Sequence, residues 1–273
     1  MAFNKYFPYI YLKSMIKLSH REPFVILLDL DNTIIGNVEP QLEESNLMSY
    51  INSLSTKNHV KLNQNLLFND FRKGLLRSKF QRFIKRMTDR FPNVEFFIYT
   101  ASNKDWAKYI VKKIELHINF NFNKRIFSRN DCMFDSQRQV YYKSIKKITP
   151  DIFSVLKSKY NLIGKKNEYN FKHILLIDNN DVLRDEERKY WVKCPHYLNK
   201  VIINPFRSIP DMCIKQYYRQ IGLYLWKKNY DNVYRFYADS FDTLARKHNV
   251  ANTSSDNFWE HQLKIFKREY QLI

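Results

Sequence analysis

Phe24-Val25-Ile26-Leu27-Leu28-Asp29-Leu30-Asp31-Asn32-Thr33 is the stretch on which the fold turns. Five apolar residues in a row, without the alternation of a half-buried strand, read as a strand buried on both faces, as in the centre of a parallel sheet. The run ends on two carboxylates two positions apart. Along a strand they would point to opposite faces, but where the backbone turns at the strand end both can face one site. Acidic turns also arise as plain turn chemistry, so the stretch has to be read together with the rest of the chain.

Two further units repeat the design. Residues 95–99 read as a strand closing on Thr100, Ala101 and Ser102, and Ser102-Asn103-Lys104-Asp105 resembles a capping box ahead of a helix bearing Trp106 and Ile110. Residues 173–177 read as a third strand, delivering Asp178, Asn179, Asn180 and Asp181. Strands alternating with helices predict an α/β fold with a doubly wound, mostly parallel sheet. In such sheets ligands bind beyond the carboxyl ends of the strands, where all three strands place polar groups. Converging carboxylates repel one another unless a cation is bound, and hard oxygen donors suit Mg²⁺. One carboxylate can then attack phosphorus while the other protonates the departing oxygen. Charge on the phosphoryl oxygens calls for the cation, a hydroxyl such as that of Thr100, and a lysine.

DLDNT at 29–33, YTAS at 99–102, a lysine, and IDNN at 177–180 resemble, in that order, the four motifs of haloacid dehalogenase (HAD) superfamily phosphatases. Within that superfamily they are most similar to the small RNA polymerase II C-terminal-domain phosphatases, the NLI-interacting-factor-like branch. The resemblance spans residues 24–205 and implies a HAD-like Rossmannoid core. It further implies that Asp29 forms a phospho-aspartyl intermediate and that Asp31 protonates the leaving group and then activates water. Thr100, Ala101 and Lys143 would hold the phosphoryl group, and Asp29, the Asp31 carbonyl, Asp178 and Asn179 would hold Mg²⁺. Lys143 matches the family lysine by its place after residues 127–129; Lys146 and Lys147 remain open. Asn180-Asp181 departs from the Ser-Pro of the polymerase-type enzymes, which would make Asp181 an additional carboxylate behind the site. The implied activity is hydrolysis of phosphoserine or phosphothreonine in a protein, of the polymerase-tail type. Two other readings stand beside it: a nucleotide or polynucleotide terminal phosphatase, and a silent HAD-fold scaffold, against which the intact Asp29 and Asp31 argue.

Of the chain's 273 residues 44% are hydrophobic, with 21 Phe and 19 Tyr, which excludes a disordered chain. The expected organisation is a basic, aromatic lead-in over 1–20, perceived as helical, a catalytic domain over 21–205 with a polar insertion at 36–68, and a helical extension over 206–273. Residues 70–90 predict one amphipathic helix, with Phe71, Leu75, Phe80, Phe83, Ile84 and Met87 inward and Arg72, Lys73, Lys79, Arg82, Arg86 and Arg90 outward. Further helices are expected from residue 208, near 232–248 and near 256–272, all of them free to extend the core or bind a partner. The formal charge of +19 admits nucleic acid as a partner. Low glycine with abundant Asn, Lys, Ile and Tyr is also the usage of an AT-rich genome, which makes lysine a default surface residue. Three scattered cysteines exclude a disulfide framework or zinc site and fit an intracellular protein, cytoplasmic or nuclear. No apolar run approaches membrane-spanning length. Nothing in the sequence sets the oligomeric state, nor whether 36–68 caps the site.

Overall fold

The computed structural model describes residues 16–18, 22–36, 68–137, 139–198 and 256–272. In chain order the strands are β1 (Ile16–Leu18), β2 (Phe24–Leu28), β3 (Val94–Ile98), β4 (Met133–Asp135), β5 (Val140–Tyr142), β6 (His173–Asp178), β7 (Trp191–Lys193) and β8 (Tyr270–Leu272). The longer helices are α1 (Phe80–Arg90), α2 (Lys104–Ile118), α3 (Ile145–Tyr160) and α4 (Phe258–Glu269). The central sheet runs β3-β2-β6-β7, every pairing parallel.

The unbroken apolar run of β2 is explained by its place. Both neighbours hydrogen-bond to it, and all five of its residues are fully buried. Phe24, Ile26 and Leu28 face a core built with α1, α2 and α4, while Val25 and Leu27 face one built with α3. Helices therefore cover both faces, the doubly wound α/β arrangement. Burying each such side chain contributes about 1.5–3 kcal/mol, so this strand is the thermodynamic centre of the molecule. Because β3 lies on one side of β2 and β6 on the other, the chain reverses its winding next to β2, opening a crevice at its carboxyl end. Asp29 is the first residue beyond that end.

Three local expectations are corrected. The helix over 70–90 is interrupted: a wide helical turn at Phe71–Leu75 contains Gly74 at φ 108°, Leu76 is extended, Lys79 is left-handed, and α1 begins at Phe80. Glycine pays no Cβ penalty in that region, and the break lets residues 75–77 pair with the turn after β2. The Gly36 amide donates to the Leu75 carbonyl at 2.8 Å and the Arg77 amide to the Ile34 carbonyl at 2.8 Å. The apolar positions nevertheless stay buried and the six basic residues exposed. Second, the described part of the lead-in, Ile16–Leu18, is a strand paired in parallel with β8 rather than a helix. Third, Asn103 caps α2, its side chain accepting from the Asp105 amide, and the expected Ser102 capping box does not form.

At the other end of the chain, α4 packs into the core. Trp259 is fully buried, its ring 5.0 Å from Phe80 and 4.8 Å from Phe83. Residues 258–269 thus extend the core. Most of the 36–68 insertion and the helices expected from 208 and near 232–248 lie outside the described residues. Among the described residues no helix is long and apolar enough to cross a membrane.

Candidate active site

Beyond β2 the chain turns sharply. The Leu30 carbonyl accepts from the amides of Thr33, Ile34 and Ile35, and Asn32 sits at φ 60°, a left-handed conformation that asparagine tolerates better than most residues. The turn is tied to both neighbouring strands: the Asp29 amide donates to the Ile177 carbonyl at 3.0 Å and the Tyr99 amide to the Leu28 carbonyl at 2.9 Å. Asp29 is thereby fixed beside the end of β6, and Asp31 is aimed towards the segment after β3.

Lys143 lies almost completely buried between two carboxylates, its Nζ 2.6 Å from Asp29 Oδ1 and 2.6 Å from Asp178 Oδ2. It stands immediately after β5, where its amide donates to the Val182 carbonyl at 2.9 Å and Ser144 caps α3. Lys146 is exposed, and Lys147 reaches the Cys132 carbonyl instead, so Lys143 is the lysine that meets the carboxylates. Asp178 Oδ1 accepts from the Asn180 amide at 2.8 Å. Asn179 is locked against the turn after β2: the Thr33 hydroxyl donates to its Oδ1 at 3.0 Å, its amide donates to Thr33 Oγ1 at 3.2 Å, and its Nδ2 meets His196 Nδ1 at 3.0 Å. Asp181, expected behind the site, instead pairs with Arg188 at the surface at 2.8 Å; at the end of the turn its side chain points outward.

Asp31 has different company. Ser102 Oγ donates to its Oδ2 at 2.5 Å and Trp106 Nε1 to its Oδ1 at 3.3 Å. Thr100 is buried, its Oγ1 accepting from the Ser102 amide at 3.1 Å. That bond leaves the hydroxyl proton to be donated elsewhere. The Ala101 carbonyl accepts from Arg129 Nε at 2.8 Å, which steadies the Thr100–Ser102 segment. Ser102, Trp106, Thr33 and His196 were not singled out as site residues from the sequence. The Trp106 signal lay in its position, one turn into the helix that follows Thr100.

Burial dominates the electrostatics. It pushes Asp29 up from 3.8 to about 7, with Asp178 adding to the rise and Lys143 opposing it. Burial also raises Asp31, against the hydrogen bonds from Ser102 and Trp106. For Lys143 burial works against the charge, but Asp178 and Asp29 outweigh it and hold the ammonium above its ordinary value. Three carboxylates thus stand near one buried ammonium, which contacts Asp29 and Asp178 only, an excess of negative charge that a hard divalent cation would neutralise. Among the described residues no three or more His, Cys, Asp or Glu side chains form an all-protein cage. Mg²⁺ does not need one: it takes one or two carboxylates and keeps waters and substrate oxygens in its shell. The donor set of Asp29, Asp178 and Asn179 with the Asp31 carbonyl suits that ion.

The family model of NLI interacting factor-like phosphatases matches residues 24–208. No curated protein matches the chain. Among solved structures, a variant of the fission yeast RNA polymerase II CTD phosphatase Fcp1 bound to beryllium fluoride is 17% identical, with a TM-score of 0.45, over 91% of this chain and 62% of that one. A second structure, of Fcp1 described as an essential RNA polymerase II CTD phosphatase, is 20% identical with the same TM-score and coverage. The chain therefore spans 62% of the length of those chains. The HAD domain of effector protein Lem4 from Legionella pneumophila is 16% identical, with a TM-score of 0.30, over 60% of this chain and 76% of that one. Matched along most of its length, from the first residue of β2 to beyond β7, the chain belongs to the NLI interacting factor-like phosphatase family.

Proposed function

We propose that the chain is a Mg²⁺-dependent phosphatase that works through a phospho-aspartyl intermediate on Asp29, with phosphoserine or phosphothreonine in a protein as its substrate. The observation that carries this reading is the division of company at the end of β2: Asp29 against Lys143 and Asp178, Asp31 against Ser102 and Trp106. In the first step an Asp29 oxygen bonds to phosphorus as the bond from phosphorus to the seryl oxygen breaks, and Asp31 gives its proton to that oxygen. Burial favours the protonated form of Asp31, which suits it to arrive as an acid. In the second step Asp31, now a carboxylate, takes a proton from water as the water oxygen bonds to phosphorus. Inorganic phosphate leaves and the Asp29 carboxylate is restored. Lys143 and the Thr100 hydroxyl donate to phosphoryl oxygens, where charge has to be balanced in the transition state. Mg²⁺, held by Asp29, Asp178, Asn179 and the Asp31 carbonyl, would supply the remaining positive charge.

The substrate class rests on the family and on the phosphatases named among the similar structures, Fcp1 being described as acting on the polymerase C-terminal domain. The formal charge of +19 favours a second reading, removal of a terminal phosphate from a polynucleotide. One experiment separates them: Mg²⁺-dependent phosphate release by wild type and Asp29→Asn, from phosphoserine peptides and from 3′- and 5′-phosphorylated oligonucleotides. Release from peptides, abolished by the substitution, is expected. Release from oligonucleotides alone would replace the substrate class, and release from none would leave the scaffold reading.

A further inference from the structure

Arg77 is the residue of the 70–90 segment that fits neither of its faces. It sits in the break before α1, 2% exposed in a chain with 46 Lys and Arg. Its Nε donates to Asp256 Oδ2 at 2.6 Å and its Nη2 to Asp256 Oδ1 at 3.3 Å, a two-pronged pair with a carboxylate 7% exposed. The rest of the guanidinium faces the site: Nη1 donates to the Pro195 carbonyl at 3.0 Å, to the Thr33 carbonyl at 3.4 Å and to the sulfur of Cys194. Phe258 and Tyr197 cover its faces at 4.6 and 5.2 Å. A planar fork of fixed donors is the side chain that can bridge three segments in this way; a lysine cannot.

The segments it bridges carry the site. Thr33 closes the turn that begins at Asp29 and holds Asn179 through its hydroxyl. Pro195 precedes His196, the other partner of Asn179, and the Tyr197 amide donates to the Asn32 carbonyl at 2.9 Å. Tyr197 Oη in turn donates to the Gly74 carbonyl at 2.6 Å, in the same break that carries Arg77. Asp256 lies outside residues 24–208, the part matched by the family, and is separated from α4 by Asn257 alone. We infer that Arg77 is a positioning residue, and that Asp256 of the C-terminal segment holds it so that the Asp29–Thr33 turn and the Asn179 side chain keep their metal-binding geometry. The segment leading into the last helix thereby supports the site from outside the family region, a role that rests on the metal site of the proposed function and, for its consequence in turnover, on the phosphatase reading.

Removing Asp256 alone would strand a buried cation, so the test uses two variants that avoid this. Arg77→Met with Asp256→Leu removes both charges at similar volume, a replacement that buried pairs tolerate. Arg77→Lys keeps the charge against Asp256 but lacks the fork. Mn²⁺ affinity is measured by electron paramagnetic resonance on the full chain, kcat and KM with p-nitrophenyl phosphate, and folding by thermal unfolding. The expected result is cooperative unfolding in both variants with Mn²⁺ affinity lowered about 10–100-fold, the usual effect of removing a residue that orients metal ligands, and kcat lowered more than KM is raised. A cooperatively folded variant with wild-type Mn²⁺ affinity and kcat overturns the role; should the double variant fail to fold, Arg77→Lys decides by the same criterion. A wild type that binds Mn²⁺ yet hydrolyses no phosphomonoester sinks the phosphatase reading while the affinities still decide the positioning role. A wild type without Mn²⁺ affinity overturns both.

Discussion

Replacing Asp29, the proposed nucleophile, should stabilise the metal-free protein. Asp29 lies buried beside Asp178 with a single ammonium between them, and its value is pushed from 3.8 to about 7. Between those values the folded chain holds a proton that the unfolded chain has released, so stability falls as pH rises through about 7. The stabilising contribution of the protonated acid is complete below about 4 and gone above about 7. At about 1.4 kcal/mol for each tenfold change, the move corresponds to about 4 kcal/mol of strain in the ionised state. Asp29→Asn keeps the shape and an oxygen for Lys143 to donate to, cannot ionise, and leaves Lys143 and Asp178 as a one-to-one pair. In EDTA at pH 8 the variant should therefore be more stable than wild type by up to about 4 kcal/mol, and by less than about 2 kcal/mol at pH 5. At roughly 2 °C per kcal/mol for a chain of this size, the unfolding midpoints should differ by about 8 °C at pH 8 and about 3 °C at pH 5. Circular dichroism melts across that range would measure both. Mg²⁺ should narrow or reverse the order, since a ligand at 100 times its dissociation constant stabilises by about 2.7 kcal/mol and wild type is the better binder. A variant no more stable than wild type at pH 8 in EDTA would refute the reasoning: Lys143 would then balance both carboxylates, and no charge would be left for a cation to answer.

Other perturbations test the neighbours. Ser102→Ala with Trp106→Phe removes both donors to Asp31, each hydrogen bond to a charged group contributing about 1.5–3 kcal/mol; kcat should drop at least about tenfold and phospho-enzyme should accumulate in rapid-quench experiments, because the carboxylate needed for the second step is disfavoured. Equal slowing of both steps would point to a packing defect instead. Lys143→Met should abolish phosphate release while Lys146→Met and Lys147→Met stay within about threefold of wild type in kcat/KM, since only Lys143 meets the carboxylates. Trp259→Ala should cost about 3–5 kcal/mol in urea unfolding, because α4 buries this ring completely against α1; a change under about 1 kcal/mol would mean the helix is not part of the folding unit.

How much of this was legible depends on the range of the signal. The buried run of β2, the Thr100 and Asp178 strand ends and the parallel alternation were readable because each is written in a few adjacent residues. Lys143 was reachable only through order along the chain, since lysine alone says little in a sequence with 46 Lys and Arg. The same abundance hid Arg77, which pattern alone assigns to a solvated face. Gly74 was the available sign that the helix breaks there, an isolated glycine inside a helical pattern. Ser102 was misread because its local sequence satisfies a capping pattern, whereas its hydroxyl is taken by Asp31, 71 positions earlier. The pairing of β1 with β8 had no readable sign at all: three residues at each end of the chain, joined across the whole sequence.

The two acids at the end of β2 are alike in type, and what distinguishes them is the neighbour each strand provides. β6 lies on one side and brings Asp178, with Lys143 wedged between; β3 lies on the other and is followed by Ser102 and Trp106. A carboxylate facing a cation and a second carboxylate is placed to share a metal, whose charge would favour its ionised form. A carboxylate held by two neutral donors in a half-buried place can carry a proton in and take one away. The reversal of winding next to β2 thus does more than open a crevice, because it gives the two carboxylates different environments from a single short turn. Inverting the assignment would require moving Lys143 across the strand, which is why exchange of Asp29 and Asp31 roles by local substitution alone should not be attainable in this fold.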